Sequence, residues 1–177
     1  MFAKVVCVQL ISYLGYDLLF QDVDVVWFKN PLEYSHDETN DMYFQDDGAH
    51  SNRYAPTSAI SGFYYVRSKT KYMFISLLYH GDMIVKSNNH QQVLIQIMTE
   101  HASVFGLRVK VIDRETASFP GGFQYHRRGQ LMKQIVRGEV VPEFFHMSWT
   151  LNKKDKEWGR WVNGMLTLNV LGKQETP

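Results

Sequence analysis

Two carboxylates, one residue apart, close an apolar run. In "LLFQDVDVVWFKNP" Leu18, Leu19 and Phe20 lead into Asp22 and Asp24. Like charges this close repel unless something positive lies between them. A divalent cation is the economical candidate. In extended backbone, residues i and i+2 point to the same side. The spacing therefore predicts that both carboxylates aim at one point, at the carboxyl end of a strand, where open α/β sheets bind ligands. Hard oxygen donors suit Mg²⁺ or Mn²⁺, ions that keep positions open for phosphate oxygens. A solvated acidic turn is the alternative.

His146, in "FFHMSW", also ends an apolar run and is the second candidate ligand. An imidazole beside two carboxylates favours Mn²⁺ over Mg²⁺; the competing reading is a hydrogen-bonded core histidine. Lys153, Lys154 and Lys156 follow closely. They suit a diphosphate if they cluster at the metal, and a solvated helix face if they do not.

These residues need a frame. Phe2, Val6, Leu10, Tyr13 and Leu14 recur at helical spacing and Gly15 stops the run, which predicts a first helix with that apolar face. "YDLLFQ" reads as a short buried strand, and Pro31 bars further sheet pairing where it stands. Residues 35–58 read as loop. "SAISGFYYVRS" reads as a strand in which Gly62 lets backbone approach closely. Helices are expected over 69–80 and 89–103, the latter capped by Asn88 or Asn89. "GLRVKVID" is a strand, "FPGGFQYHRRG" a turn-rich loop, "QLMKQIVRG" a short helix, "EFFHMSW" a strand, and 153–170 a last helix. Strands alternating with helices predict an α/β layer fold, taken as one domain over 1–177.

Composition narrows the partners. A net charge of +1 favours neither nucleic acid nor an acidic membrane. The single cysteine, Cys7, excludes an internal disulfide and a cysteine-built zinc site. No run reaches membrane-spanning length and no signal peptide is recognisable, so a membrane link is expected only through a segment outside this sequence.

Taken in order, "GYDLLFQDVDVVWFKNP", "SGFYYVRS", "HQQVL", "EHASVFGLRVKVID", "FPGG" and "FHMSWTLNKKDK" resemble the nucleotide-diphospho-sugar transferases, glycosyltransferases like those of family 77 with a GT-A fold. The resemblance implies a Rossmann-related mixed sheet flanked by helices. It implies a donor carrying a nucleotide diphosphate, a glycan or glycoprotein hydroxyl as acceptor, and retention of configuration at the sugar. It gives Asp22 and Asp24 the metal and diphosphate, with Asp22 also near the donor ribose. It makes His146 the remaining metal ligand and Lys153 the diphosphate contact. Lys4 then faces the donor, Ser61 and Gly62 lie under the donor sugar, and His90 and Gln91 occupy the position that faces the reacting sugar. Trp149, beside the histidine block, is the acceptor-side candidate. Trp27, Trp158 and Trp161 are read as packing residues, and Asp46 and Asp47 as a surface turn, with a place on an acceptor loop as the alternative. Relatives of this type are single-pass type II proteins of the Golgi lumen.

The chain also departs from that pattern. Relatives carry asparagine where Ile60 stands, and Asp-Gln where His90 and Gln91 stand. Met1 lies almost inside the first helix, so the first nucleotide-binding strand is expected to be missing. Two rival readings follow. One is a degenerate, non-catalytic protein that binds a sugar or a partner. The other is a phosphatase of the haloacid dehalogenase type, with Asp22 as nucleophile and Asp24 as acid/base. That type needs a later acidic pair, for which "GDMIVK" offers only Asp82 and Lys86.

Overall fold

The computed structural model describes residues 2–30, 39–47, 59–87, 89–112 and 116–149. Along the chain lie α1 (Phe2–Tyr13), β1 (Leu18–Gln21), β2 (Val25–Trp27), β3 (Met42–Asp46) and β4 (Ala59–Val66). A 3-10 turn (Ser68–Thr70) leads into α2 (Lys71–Tyr79), α3 (Gly81–Ser87), α4 (His90–Phe105) and β5 (Val109–Ile112). Then come α5 (Gly122–Arg127), α6 (Gly129–Val136) and β6 (Phe144–His146). The chain divides into two compact units. One holds α1, β1, β3, β4, α2, α3, α4 and β5; the other holds β2, α5, α6 and β6.

The first unit is a mixed sheet in the order β1-β4-β3-β5, with helices packed on it. β4 runs antiparallel to both β1 and β3, and β3 runs parallel to β5. Register places Phe20 opposite Tyr64 and Tyr64 opposite Phe44. Their rings stack at 5.0 Å on either side of Tyr64, so the sheet is tied by an aromatic column across three strands. Phe44 within the column is fully buried, as are Phe74 and Leu77 of α2. Truncating a core phenylalanine of this kind costs about 3–5 kcal/mol.

Two sequence expectations fail here for physical reasons. β3 lies inside the segment read as loop, because "MYFQD" is short and flanked by polar residues, yet it is an interior strand buried over Met42–Gln45. The first helix forms where expected but buries a different face. Val5, Val8, Gln9 and Ser12 point inward, whereas Leu10, Tyr13 and Leu14 are exposed. A helix apolar on most sides gives its periodicity no single direction.

α4 follows its sequence signals closely. Asn89 caps it, its side-chain oxygen accepting from the Gln92 N–H at 3.1 Å. Gly106 ends it in the left-handed region at φ 68°, and Leu107 N–H returns to the His101 carbonyl at 3.2 Å. Beyond it, Asp41 secures the parallel pairing of β3 and β5. Its carboxylate accepts from Arg108 N–H at 2.9 Å and from the guanidinium at 3.1 Å, and Lys69 pairs with it as well. Burial would raise the Asp41 pKa, but the Arg108 and Lys69 hydrogen bonds outweigh it and hold the group at about 2.

In the second unit β2 and β6 pair antiparallel, with Val25 opposite His146 and Trp27 opposite Phe144. Trp27 is half-buried and its ring meets Phe144 at 5.1 Å, as a packing residue does. The turn-rich loop expected over "FPGGFQYHRRG" instead contains α5. Gly121 precedes that helix, its N–H donating to Gln124 Oε1 at 2.9 Å. Met132 and Ile135 of α6 pack with Phe145 and Met147 into a small apolar cluster.

Candidate functional site

Asp22, Asp24 and His146 come together in the second unit. Each offers a ligand atom, and the three atoms lie within 4.8 Å of one another. The convergence does not come from extended strand, as the spacing suggested. Residues 22–25 form a turn in which Val25 N–H reaches the Asp22 carbonyl at 3.4 Å. Val23, at its apex, is 91% exposed, so the turn sends valine to solvent and keeps its two carboxylates on the inner side.

β6 supplies the third group. The pairing of Val25 with His146, continued by Met147 N–H to the Asp24 carbonyl at 3.0 Å, sets the imidazole beside the turn. His146 is 2% exposed, and its Nε2 stands 3.5 Å from Asp24 Oδ1. This donor set fits a small divalent ion. Ligand atoms about 2.1 Å from an octahedral cation sit ~3 Å apart when adjacent and ~4.2 Å apart when opposite. The observed spread is only slightly wider, and two carboxylates with one imidazole form a donor set that divalent cations accept.

The backbone behind His146 is tightly built. Gly121 bridges to His146, whose N–H donates to the Pro120 carbonyl at 3.1 Å. Gly122 N–H donates to Ser148 Oγ at 2.9 Å. A Cβ on Gly122 would run into the Ser148 carbonyl and reach 2.8 Å from the Trp149 Cβ. This is the close approach that the "FPGG" block serves. Trp149 takes φ 63°, the left-handed region that bulky residues avoid, and its ring meets the edge of Phe123 at 6.0 Å. Strain of this kind concentrates at functional sites.

A second polar group belongs to the first unit. Ser61 and Gly62 are buried in β4. Phe44 pairs with Tyr64 and Asp46 with Ala59, so only Gln45 faces the stretch Ile60, Ser61, Gly62 and Phe63. This bulge re-aims the strand at Ser61. There Gln91 Oε1 accepts from Ser61 N–H at 3.0 Å and from its hydroxyl at 3.2 Å, and His90 Nε2 lies 2.9 Å from Ser61 Oγ. His90 is the first residue of α4, directly after its cap Asn89. Asp47, read from sequence as a surface turn, accepts from Gln91 Nε2 at 3.1 Å. Nothing in "FQDDG" distinguishes Asp47 from any acidic turn, because its partner lies on a distant helix.

The other expected residues divide as follows. Lys4, half-buried on α1, holds its ammonium 5.5 Å from the Phe20 ring centroid. Lys153, Lys154, Lys156, Trp158 and Trp161 lie outside the described residues. Asp82 and Lys86, the segment a phosphatase of the dehalogenase type would need, form an exposed ion pair one turn apart on α3 at 3.1 Å. Among the described residues no helix is long and apolar enough to cross a membrane.

Comparison with known proteins agrees with this architecture. A sequence profile of the nucleotide-diphospho-sugar transferases matches residues 1–158. Among solved structures, one described as a glycosyltransferase involved in the glycosylation of the major capsid of PBCV-1 is similar in fold, with a TM-score of 0.56 at 13% identity. That match covers 90% of this chain and 75% of the other. Comparison with curated proteins gives no match.

Proposed function

Because the chain belongs to the nucleotide-diphospho-sugar transferase family and is a glycosyltransferase of GT-A-like fold, we propose that it moves a sugar from a nucleotide-diphosphate donor to a glycan or glycoprotein hydroxyl with the help of a divalent cation. One observation carries the metal part: the ligand atoms of Asp22, Asp24 and His146 converge within 4.8 Å. When bound, Mn²⁺ or Mg²⁺ would neutralise charge on the departing diphosphate.

The chain's own residues do the rest in this reading. Asp22 and Asp24 fix the cation in the turn, Asp22 also meets the donor ribose, and buried His146 completes the grip. Lys153 adds positive charge for the diphosphate, where stabilising developing charge is worth most. Lys4 faces the donor; Ser61, Gly62, His90 and Gln91 take the sugar, and Trp149 takes the acceptor. Configuration is retained. The acceptor hydroxyl attacks the sugar from the face that the diphosphate leaves, and a departing phosphate oxygen takes its proton. The setting proposed is the Golgi lumen, by resemblance alone.

The test is turnover of a panel of nucleotide sugars by the full chain, with and without Mn²⁺. Release of nucleoside diphosphate that needs the metal and disappears in Asp24→Ala is the expected result. Metal-independent turnover would overturn the metal role. A chain that binds donors but never turns them over would be the degenerate, sugar-binding form.

A further inference from the structure

The polar group in the first unit has a fixed direction, and it begins at Asp47. An ionised carboxylate only accepts hydrogen bonds, so the 3.1 Å contact with Gln91 must be made by the amide nitrogen. That turns Gln91 Oε1 toward Ser61, where it accepts from the backbone N–H at 3.0 Å and from the hydroxyl at 3.2 Å. The opposite amide orientation would set two donors against each other at Ser61 and oxygen against oxygen at Asp47. Ser61 Oγ also lies 2.9 Å from His90 Nε2, and a hydroxyl that gives its hydrogen to Gln91 is left to accept there, which asks His90 to carry its own hydrogen on Nε2. Ser61 is 6% exposed and His90 9%, so this order is held where water competes little.

We propose that Asp47 is a positioning residue for sugar transfer: through Gln91 it sets the Ser61 hydroxyl and the His90 tautomer, and so the hydrogen-bonding face these two offer the sugar. The proposal rests on the transferase reading. Asp47 need not touch substrate for this. Its charge polarises the amide, the amide orients the hydroxyl, and the hydroxyl selects the tautomer. The strand bulge at Ser61 makes the arrangement necessary, since irregular backbone there takes its acceptor from Gln91.

Two measurements on the full chain test it. Imidazole ¹⁵N shifts of His90 should report the Nε2–H tautomer in the wild type and a mixture in Asp47→Ala. Transfer by Asp47→Ala should fall roughly tenfold or more through kcat, with Mn²⁺ affinity at Asp22, Asp24 and His146 unchanged. Gln91→Glu brings two carboxylates together and should be impaired as well. Combining it with Asp47→Asn reverses donor and acceptor between the two positions and should recover most of the loss. An unchanged His90 tautomer in Asp47→Ala, or a double variant as impaired as Gln91→Glu alone, overturns the positioning role. Failure of the wild type to turn over any donor would instead sink the transferase reading, and the tautomer comparison would still decide for Asp47.

Discussion

His146 Nε2 stands 3.5 Å from Asp24 Oδ1, with the imidazole 2% and the carboxylate 9% exposed. A hydrogen bond between them would be about 2.8 Å long, whereas two neighbours on one small cation are roughly this far apart. That separation is compatible with the cation site proposed for Asp22, Asp24 and His146. Mn²⁺ should bind the full chain, and His146→Ala or Asp24→Ala should weaken it by at least the roughly 10–100-fold that loss of even an outer-shell partner produces. Electron paramagnetic resonance of free Mn²⁺ reads this directly. Chelation should abolish turnover and added Mn²⁺ should restore it. Equal Mn²⁺ affinity in all three proteins would show that the acids and the imidazole serve only packing.

Local signals in the sequence carried part of this architecture, and tertiary ones carried the rest. The carboxylate spacing and the position of His146 were legible because both end apolar runs. The turn at 22–25 was not: a period of two describes a strand and a tight turn equally well. Asn89 and Gly106 marked α4 because caps are local chemistry. The interior strand at Met42–Asp46 was hidden, since its burial comes from β4 and β5 rather than from its own five residues. Asp47 was illegible for the same reason. The role proposed for it runs through Gln91, 44 positions away.

Asp41 should make the fold acid-sensitive. Its pKa is held at about 2, against 3.8 for a free aspartate. A group depressed on folding stabilises the protein above its unfolded pKa, and that stability is lost as pH falls through the folded value. The contribution should therefore be nearly complete above pH ~4 and nearly gone near pH ~2, amounting to about 1–2 kcal/mol once solvent screening of its half-exposed partners is allowed for. Salt should reduce it, because Lys69 and Arg108 are about half exposed. Urea unfolding of Asp41→Ala and wild type from neutral pH down to pH ~2 should show a gap at neutral pH that closes in acid. A gap independent of pH would place the effect in packing instead.

Gly122→Ala should be costly for its size. The added methyl meets the Ser148 carbonyl and the Trp149 Cβ, which are backbone-held and cannot swing aside. Overpacking of this kind costs about 1–3 kcal/mol. The displacement would pass to Ser148 and, within two residues, to His146. Both the melting temperature and Mn²⁺ affinity should fall. Gly129→Ala, where a Cβ meets nothing within 4 Å, is the control and should leave both unchanged.

Trp149 separates stability from function. Its φ of 63° costs a side-chain-bearing residue roughly 1 kcal/mol that glycine does not bear. Trp149→Gly should therefore be more stable than Trp149→Ala by about that amount, even though both lose the contact with Phe123. If the indole receives the acceptor, both variants should show a raised acceptor KM with donor hydrolysis little changed. The strain would then serve to hold the ring where an acceptor meets it. Acceptor kinetics identical to wild type in both variants would show that Trp149 does not receive the acceptor.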